Sequence, residues 1–442
     1  MNKSDTIVAI ATPHGRGGIA VVRLSGSEAL PMALSHLDTE ALAPRHATYC
    51  HFDELDDGIV TYYPAPHSYT GEPTVEFSCH GSEYVQQAVV QALVDSGARL
   101  AEPGEYTLRA FLNGRLNLSQ VEAVADLIDA TTPTQHRLAV SQLRGGYAQQ
   151  LADMRTQLLD ITSLLELELD FSDEDVEFAD RSQLKQLVDS LEARVGQLRD
   201  TFRQGNALKR GIPVAIAGCP NVGKSTLLNA LLQDHRALVS DMPGTTRDTI
   251  EETFMVDGIT FRLIDTAGLR HSDDPLEAMG IERTLDAVAK ADIVIYVHDA
   301  TKPAAQAQAD MRELQERIPL GNKHVITVAN KTDLPNTDCV EQAIALSAKE
   351  GTGLGQLTQA LTEAAATSST PDVLLTNERH YEALGRVGQA LHQVGEGLKR
   401  GTTADLVAVD LRDALYHLGT ITGEVTNDEV LGNIFSRFCI GK

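Results

Sequence analysis

The stretch Gly218-Cys-Pro-Asn-Val-Gly223-Lys224-Ser225 has the residue types and spacing needed to hold phosphate groups. Gly218 and Gly223 let the backbone curl until successive N–H groups point inward at anionic oxygens. Asn221, Val222 and Thr226 complete the cradle. Lys224 suits the β- and γ-phosphates of a nucleotide, and the Ser225 hydroxyl suits a magnesium ion. A helix beginning near Lys224 adds the positive end of its dipole. Such a loop works only between a strand and a helix. The apolar run Val214 to Ala217 predicts a buried parallel strand before it, and Thr226 to Leu232 predicts a helix after it.

A second loop selects the base. Asn330-Lys331-Thr-Asp333 follows the apolar run His324 to Ala329. At that position the Asp333 carboxylate accepts from the N1–H and exocyclic amine of guanine. Adenine offers no such donor pair, and losing a built hydrogen bond of this kind discriminates by roughly 10⁴–10⁵-fold. Ser347-Ala348-Lys349, after another short strand, places a backbone N–H toward guanine O6. The expected ligand is GTP. Asp265-Thr266-Ala267-Gly268 closes the predicted strand at residues 260–264, with Asp265 in the magnesium shell and the Gly268 N–H sensing the γ-phosphate. Before it come Ser240, Asp241, Met242, Pro243, Gly244, Thr245 and Thr246, a switch loop in which Thr246 completes the magnesium shell. Many GTPases follow Asp-x-x-Gly with a glutamine that orients the attacking water. Leu269 stands there instead, so another residue must organise hydrolysis. Glu282 opens a helical pattern nearby, where a first-turn carboxylate is also favoured by the helix dipole alone.

The elements around these loops suggest several domains in a chain of 442 residues. Residues 1–117 read as an α/β unit, with strands predicted at residues 6–11, 18–24 and 73–79 and a helix from Tyr84 to Asp95. Arg23 and Glu76 fall inside strands, where charged residues are mostly solvated. Residues 118–205 change to a helical period, with Ser119-x-x-Glu122 as a capping box and long helices predicted over 136–170 and 182–204. Residues 206–367 alternate strands and helices as a doubly wound sheet does. Residues 368–442 return to helices, the last predicted to begin with a Thr426-x-x-Glu429 capping box. The fold expected is multidomain, α/β plus all-α, with a Ras-like nucleotide domain inserted into a helical one.

Charge sets a limit on partners. There are 37 basic against 62 acidic residues, a formal net charge of −25, which repels nucleic acid in general. Any RNA contact must be local or carried by a partner. Five cysteines without a C-x-x-C pair argue for a reducing compartment, and the absence of a signal-like or membrane-spanning run predicts a cytoplasmic protein.

The nucleotide motifs together resemble the TrmE–Era–EngA group of GTPases. The stretches Asp5 to Gly18, Ser68-Tyr-Thr-Gly-Glu72, Pro103 to Asn113 and Phe438-Cys-Ile-Gly-Lys442 narrow the resemblance to the MnmE (TrmE) family of tRNA modification GTPases, over the whole chain. That resemblance implies an N-terminal domain that binds a tetrahydrofolate one-carbon donor (5,10-methylene- or 5-formyl-tetrahydrofolate) and forms a homodimer. Arg23, Glu76, Arg115 and Lys442 match its folate-contacting positions, Arg115 replacing the lysine of some members with a different charge geometry. It implies a potassium ion held by Asn221, Ser240, Met242 and Thr245, taking the place of an arginine finger as two G domains pair. It assigns Glu282 to the attacking water, and Cys439 to the modification chemistry; ordinary packing is the competing role for that cysteine. The implied reaction adds an aminomethyl-type group at C5 of a tRNA wobble uridine, giving 5-carboxymethylaminomethyluridine or aminomethyluridine. The implied partner is the FAD-dependent protein MnmG. A ribosome-assembly or regulatory GTPase is the alternative, and would need a basic RNA-binding appendage.

Overall fold

The structure, a computed structural model, describes residues 5–170, 181–235, 252–264, 285–317, 323–366, 374–436 and 438–441. The chain forms two compact units: residues 1–129, 139–195 and 382–442, and residues 130–138 with 196–381.

In the first unit, β1 (Ile7–Ile10), β2 (Ile19–Ser25), β3 (Thr48–Phe52), β4 (Asp56–Tyr63), β5 (Thr74–His80) and β6 (Arg99–Leu100) form one sheet in the order β3-β4-β5-β2-β1-β6. All neighbours are antiparallel except β1 and β6. Side chains alternate across a strand. Ala20, Val22 and Leu24 of β2 and Val75, Phe77 and Cys79 of β5 therefore enter one core, under α1 (Ala29–Leu34) and α2 (Glu83–Asp95). The same alternation turns Arg23 and Glu76 to the other face, and the register sets them opposite each other. The β3–β4 hairpin is not among the expected strands, although the β-branched and aromatic run Ile59 to Tyr63 favours one.

Helices α3 (Glu105–Leu112), α4 (Leu118–Asp129), α5 (Pro133–Leu143), α6 (Gly146–Asp170) and α7 (Arg181–Asp200) follow. Two expectations need correction here. The cap of α4 is Asn117, not Ser119. The Asn117 Oδ1 accepts from the Gln120 N–H at 2.9 Å, and the Gln120 Oε1 accepts from the Asn117 N–H at 3.0 Å. That is a reciprocal capping box begun two residues earlier. The long helix over 136–170 is two helices, parted where Gly145 takes φ +89°, a conformation glycine adopts without strain.

In the second unit, α8 (Phe202–Arg210) precedes β7 (Ile212–Ala217), α9 (Lys224–His235), β8 (Glu252–Val256), β9 (Ile259–Leu263), β10 (Ile293–Asp299), α10 (Ala304–Arg317), β11 (His324–Asn330), β12 (Ile344–Ala345) and α11 (Leu354–Ala366). The predicted helix over 182–204 thus ends at Asp200, where the Thr201 hydroxyl donates to the Leu198 carbonyl at 2.7 Å. The sheet runs β12-β11-β10-β7-β9-β8, parallel except for the β8–β9 hairpin. Strand β10 is buried at every position, as a central parallel strand covered on both faces should be. Strand order reverses at β7, and ligands of such sheets sit outside the carboxyl ends at that switch point.

The chain closes with α12 (Glu378–Arg400), α13 (Ala404–Thr422) and α14 (Asp428–Phe435). Helix α13 buries Val407, Leu411, Ala414, Leu418 and Ile421, and packs on α6, whose Leu151, Met154, Leu158, Ile161 and Leu165 form a matching stripe. The cap of α14 is Asn427, whose Oδ1 accepts from the Val430 N–H at 2.8 Å; the box expected from Thr426 lies one residue out of place. No helix among the described residues is long and apolar enough to cross a membrane.

Candidate functional site

The loop after β7 curls where only glycine fits. A Cβ on Gly218 (φ +148°) would lie 2.2 Å from the Val297 carbonyl oxygen, and one on Gly223 (φ +98°) 2.2 Å from the Asn330 Nδ2. Lys224, at the start of α9, crosses the loop and donates to the carbonyls of Gly218 (2.8 Å) and Cys219 (2.9 Å). Burial pulls its ammonium below the ordinary lysine value. An ammonium held over a glycine-lined cradle fits a phosphate chain. Ser225 stands in the first turn of α9, where its hydroxyl can serve a magnesium ion. Asn221 is exposed at the lip in a left-handed conformation, φ +63°.

The base loop is bolted to this cradle. Asn330 is buried at the end of β11; its Nδ2 donates to the Val222 carbonyl at 2.8 Å and its Oδ1 accepts from the Ala348 N–H at 3.0 Å. Lys331, at φ +69°, donates to the Asn221 carbonyl at 2.7 Å and to Asp299 Oδ2 at 2.7 Å. A lysine in that backbone region is strained, and strain of this kind persists where surrounding contacts over-determine it. Asp333 is exposed, its carboxyl held below the usual range by a hydrogen bond with Ser347. Asn330, Lys331, Asp333, Ser347 and Ala348 therefore gather at the carboxyl ends of β11 and β12, beside the phosphate loop. Of the remaining nucleotide residues, Ser240 to Thr246, Asp265 to Gly268 and Glu282 lie outside the described residues.

A second constellation lies on the open face of the first unit's sheet. Arg23 Nε donates to Glu76 Oε1 at 2.8 Å, with the two side chains 15% and 24% exposed. These are not solvated strand charges. The Arg23 guanidinium sits 5.5 Å from the ring centroids of both Tyr69 and Tyr106 and donates to the Gly441 carbonyl at 3.4 Å. Tyr106 returns a bond from its hydroxyl to the Arg23 carbonyl at 2.6 Å. The stem of exposed Arg115 passes Gly71, where a Cβ would meet its Cγ at 3.2 Å. Gly441 presses on β1: a Cβ there would stand 2.3 Å from the Ile10 carbonyl oxygen. Cys439 is exposed, so packing does not account for it. Lys442 lies outside the described residues.

Sequence reasoning missed three participants. Asp299 closes β10, and as the last residue of a buried strand at the ligand end of the sheet it could have been flagged. Tyr69 and Tyr106 sit inside the stretches around Ser68 and Pro103, but nothing in their spacing says that both flank Arg23.

A doubly wound sheet that reverses at β7, with base loop and phosphate loop hydrogen-bonded to each other, defines a guanine-nucleotide-binding P-loop protein. Residues 6–115 match the family model for the GTP-binding protein TrmE N-terminus, and residues 118–439 match that for the MnmE helical domain. The chain is 48% identical to the tRNA modification GTPase MnmE of Parabacteroides distasonis, over 99% of this chain and all of that one. It is 44% identical to the same protein of Christiangramia forsetii, covering 100% of both chains. The solved G domain of the T. maritima FeoB iron transporter matches 35% of this chain and 98% of its own, at 28% identity and a TM-score of 0.25. The chain belongs to the MnmE family of tRNA modification GTPases.

Proposed function

We propose that this protein is a potassium-activated GTP hydrolase acting in the modification of the tRNA wobble uridine, together with MnmG and with a tetrahydrofolate derivative as one-carbon donor. The observation that carries the nucleotide half is the Asn330 tie between the base loop and the phosphate loop. In this reading Lys224 neutralises the β- and γ-phosphates, Ser225 with Thr246 holds magnesium, and Asp333 selects guanine. Asn221, with Ser240, Met242 and Thr245, holds potassium, which supplies positive charge where phosphate oxygens develop negative charge. Glu282 orients the attacking water in place of the missing glutamine. The protein works as a cytoplasmic homodimer whose G domains pair during hydrolysis.

The folate half rests on the Arg23–Glu76 pair beside half-buried Tyr69, a charged and aromatic setting suited to a pterin ring, with fully buried Tyr106 fixing the guanidinium from within the core. Arg115 and Lys442 add cationic contacts for the ligand's carboxylates, and exposed Cys439 stands ready for the uridine chemistry.

Two measurements test the reading. GTP hydrolysis is expected to rise when sodium is replaced by potassium, and to lose that rise in Asn221→Ala; equal rates in both salts, unchanged by the mutation, remove the potassium mechanism. Thermal melting is expected to shift with 5-formyltetrahydrofolate in the parent and not in Arg23→Ala. No shift in the parent removes the folate site.

A further inference from the structure

The amino ends of the nucleotide sheet's strands carry a feature that GTP hydrolysis does not use. A cleft of about 680 Å³ lies there, lined among others by Arg203, Arg262, Lys290, Lys323, Asp292 and Phe202. Strand register arranges part of this wall as a row. Arg262 pairs with Pro213 across β9 and β7; the Asp292 N–H donates to the Pro213 carbonyl at 2.9 Å; the His324 N–H donates to the Asp292 carbonyl at 3.0 Å, which sets Lys323 beside it. With neighbouring strands about 4.8 Å apart, the row from Arg262 to Lys323 spans about 14 Å. The row stands level with Pro213, and the five residues from there to Gly218, at about 3.3 Å each, separate it from the phosphate loop by about 16 Å. The two sites are distinct.

The lining is cationic. Among the described lining residues four side chains carry positive charge and one, Asp292, is a carboxylate, accepting from Arg203 Nε at 2.8 Å. The Lys323 ammonium is held by the carbonyls of Ala289 (2.7 Å) and Ala291 (2.6 Å), which orient it without cancelling its charge. Lys290 pairs with Asp286 at 2.8 Å, but both side chains are about two-thirds exposed, where such pairs are well screened. A concentration of positive charge at a ligand-sized cleft stands out on a chain of net charge −25. An RNA repelled by the rest of the surface has to be met by a local patch of this kind.

We propose that this cleft docks the phosphodiester backbone of tRNA, with Arg262, Lys290 and Lys323 contacting successive phosphates. The proposal rests on the tRNA reading above and adds where that RNA is gripped. Contacts of this type set the position of the RNA and carry no base preference. They also place the RNA against the sheet that hydrolyses GTP, so nucleotide state and RNA grip share one rigid element.

The test is binding of a fluorescent unmodified tRNA transcript to the full chain across a salt series, with GTP hydrolysis as the control for folding. Lys290→Gln/Lys323→Gln is expected to bind at least about tenfold more weakly at 0.1 M salt, with a log–log salt slope shallower by about 1 to 2 and hydrolysis unchanged. Because Lys323 also caps carbonyls, the exposed Lys290→Glu serves as a second variant and should weaken binding in the same direction. Unchanged affinity and slope in both variants overturn the cleft alone. A parent chain that hydrolyses GTP and does not bind tRNA overturns the tRNA reading and the cleft together. Displacement of the transcript by inorganic tripolyphosphate or by poly-glutamate at equal charge concentration overturns the RNA assignment in favour of a small anion or an acidic protein segment.

Discussion

Asn330 Nδ2 and the Val222 carbonyl, 108 residues apart in sequence, are hydrogen-bonded at 2.8 Å. One buried side chain thus makes the loop that reads the base a structural part of the loop that grips the phosphates. In Asn330→Ala both the Val222 carbonyl and the Ala348 N–H lose their partner. A buried polar group left unmade costs roughly 1–3 kcal/mol. Affinity for GDP and GTP should therefore fall together, by about tenfold or more, in a titration with a fluorescent guanine nucleotide. A variant that binds both as tightly as the parent would contradict the coupling.

The N-terminal domain has a tie of its own. Glu105, 1% exposed, accepts from Arg99 (2.6 Å) and Arg109 (3.0 Å), which also reach Asp5. Burial raises the Glu105 carboxyl, but hydrogen bonds from Arg99, the Glu102 N–H and Arg109 outweigh it and leave the group below its ordinary value. Its folded value being depressed, the network's contribution is complete above the unfolded glutamate value, about 4.3, and is lost as pH falls through the folded one. Glu105→Gln should cost about 3 kcal/mol or more near neutrality and less in acid, measured as urea midpoints against pH. A loss that stays constant down to acid pH would remove the ionic account.

His298 is 4% exposed on β10, and neither ring nitrogen has a hydrogen-bond partner among the described residues. Burial lowers its pKa, so the folded chain keeps it neutral where the unfolded chain takes up a proton. Stability from this group is complete above the unfolded value of about 6.5 and is lost as pH falls below it. His298→Phe should remove that component from a melting series between pH 7.5 and 5.5. A parent and variant with parallel curves would show that the imidazole is paired after all.

Thiol reactivity should separate the cysteines. Cys439 and Cys339 are exposed, whereas burial holds the Cys50 and Cys79 thiols above their ordinary value. Cys219, inside the phosphate loop, is pushed up to about 11 by burial and by Asp310, to whose carboxylate its Sγ donates at 3.0 Å. Iodoacetamide at neutral pH, followed by peptide mass spectrometry, should label Cys439 and Cys339 first and Cys219 slowly. Labelling of Cys219 at the rate of Cys439 would mean that the Asp310 contact does not hold in solution.

What could be read from the chain alone was whatever is encoded locally. The phosphate loop and Asn330-Lys-Thr-Asp333 declare themselves by spacing, and the alternation of strands and helices around them places both at one end of a parallel sheet. Pairings set by register were out of reach. Alternation in β2 turns Arg23 away from the core, but only the β2–β5 register shows that Glu76 faces it. Helix interruptions at Gly145 and Thr201 were hidden because apolar spacing continues through both. The caps were misplaced by one or two residues because Asn117 and Asn427 compete with equally suitable neighbours, and backbone geometry decides among them.

The bond from Arg23 to the Gly441 carbonyl joins positions 418 residues apart. Long-range closure of that kind is slow to reach and comes late in folding. During synthesis the first strands of the chain emerge well before the segment that finishes their open face, so β1 and β2 wait for the rest of the polypeptide to leave the ribosome. A nascent chain stalled before Phe438 would hold Arg23 by Glu76 and the Tyr69 and Tyr106 rings, without its bond to the Gly441 carbonyl.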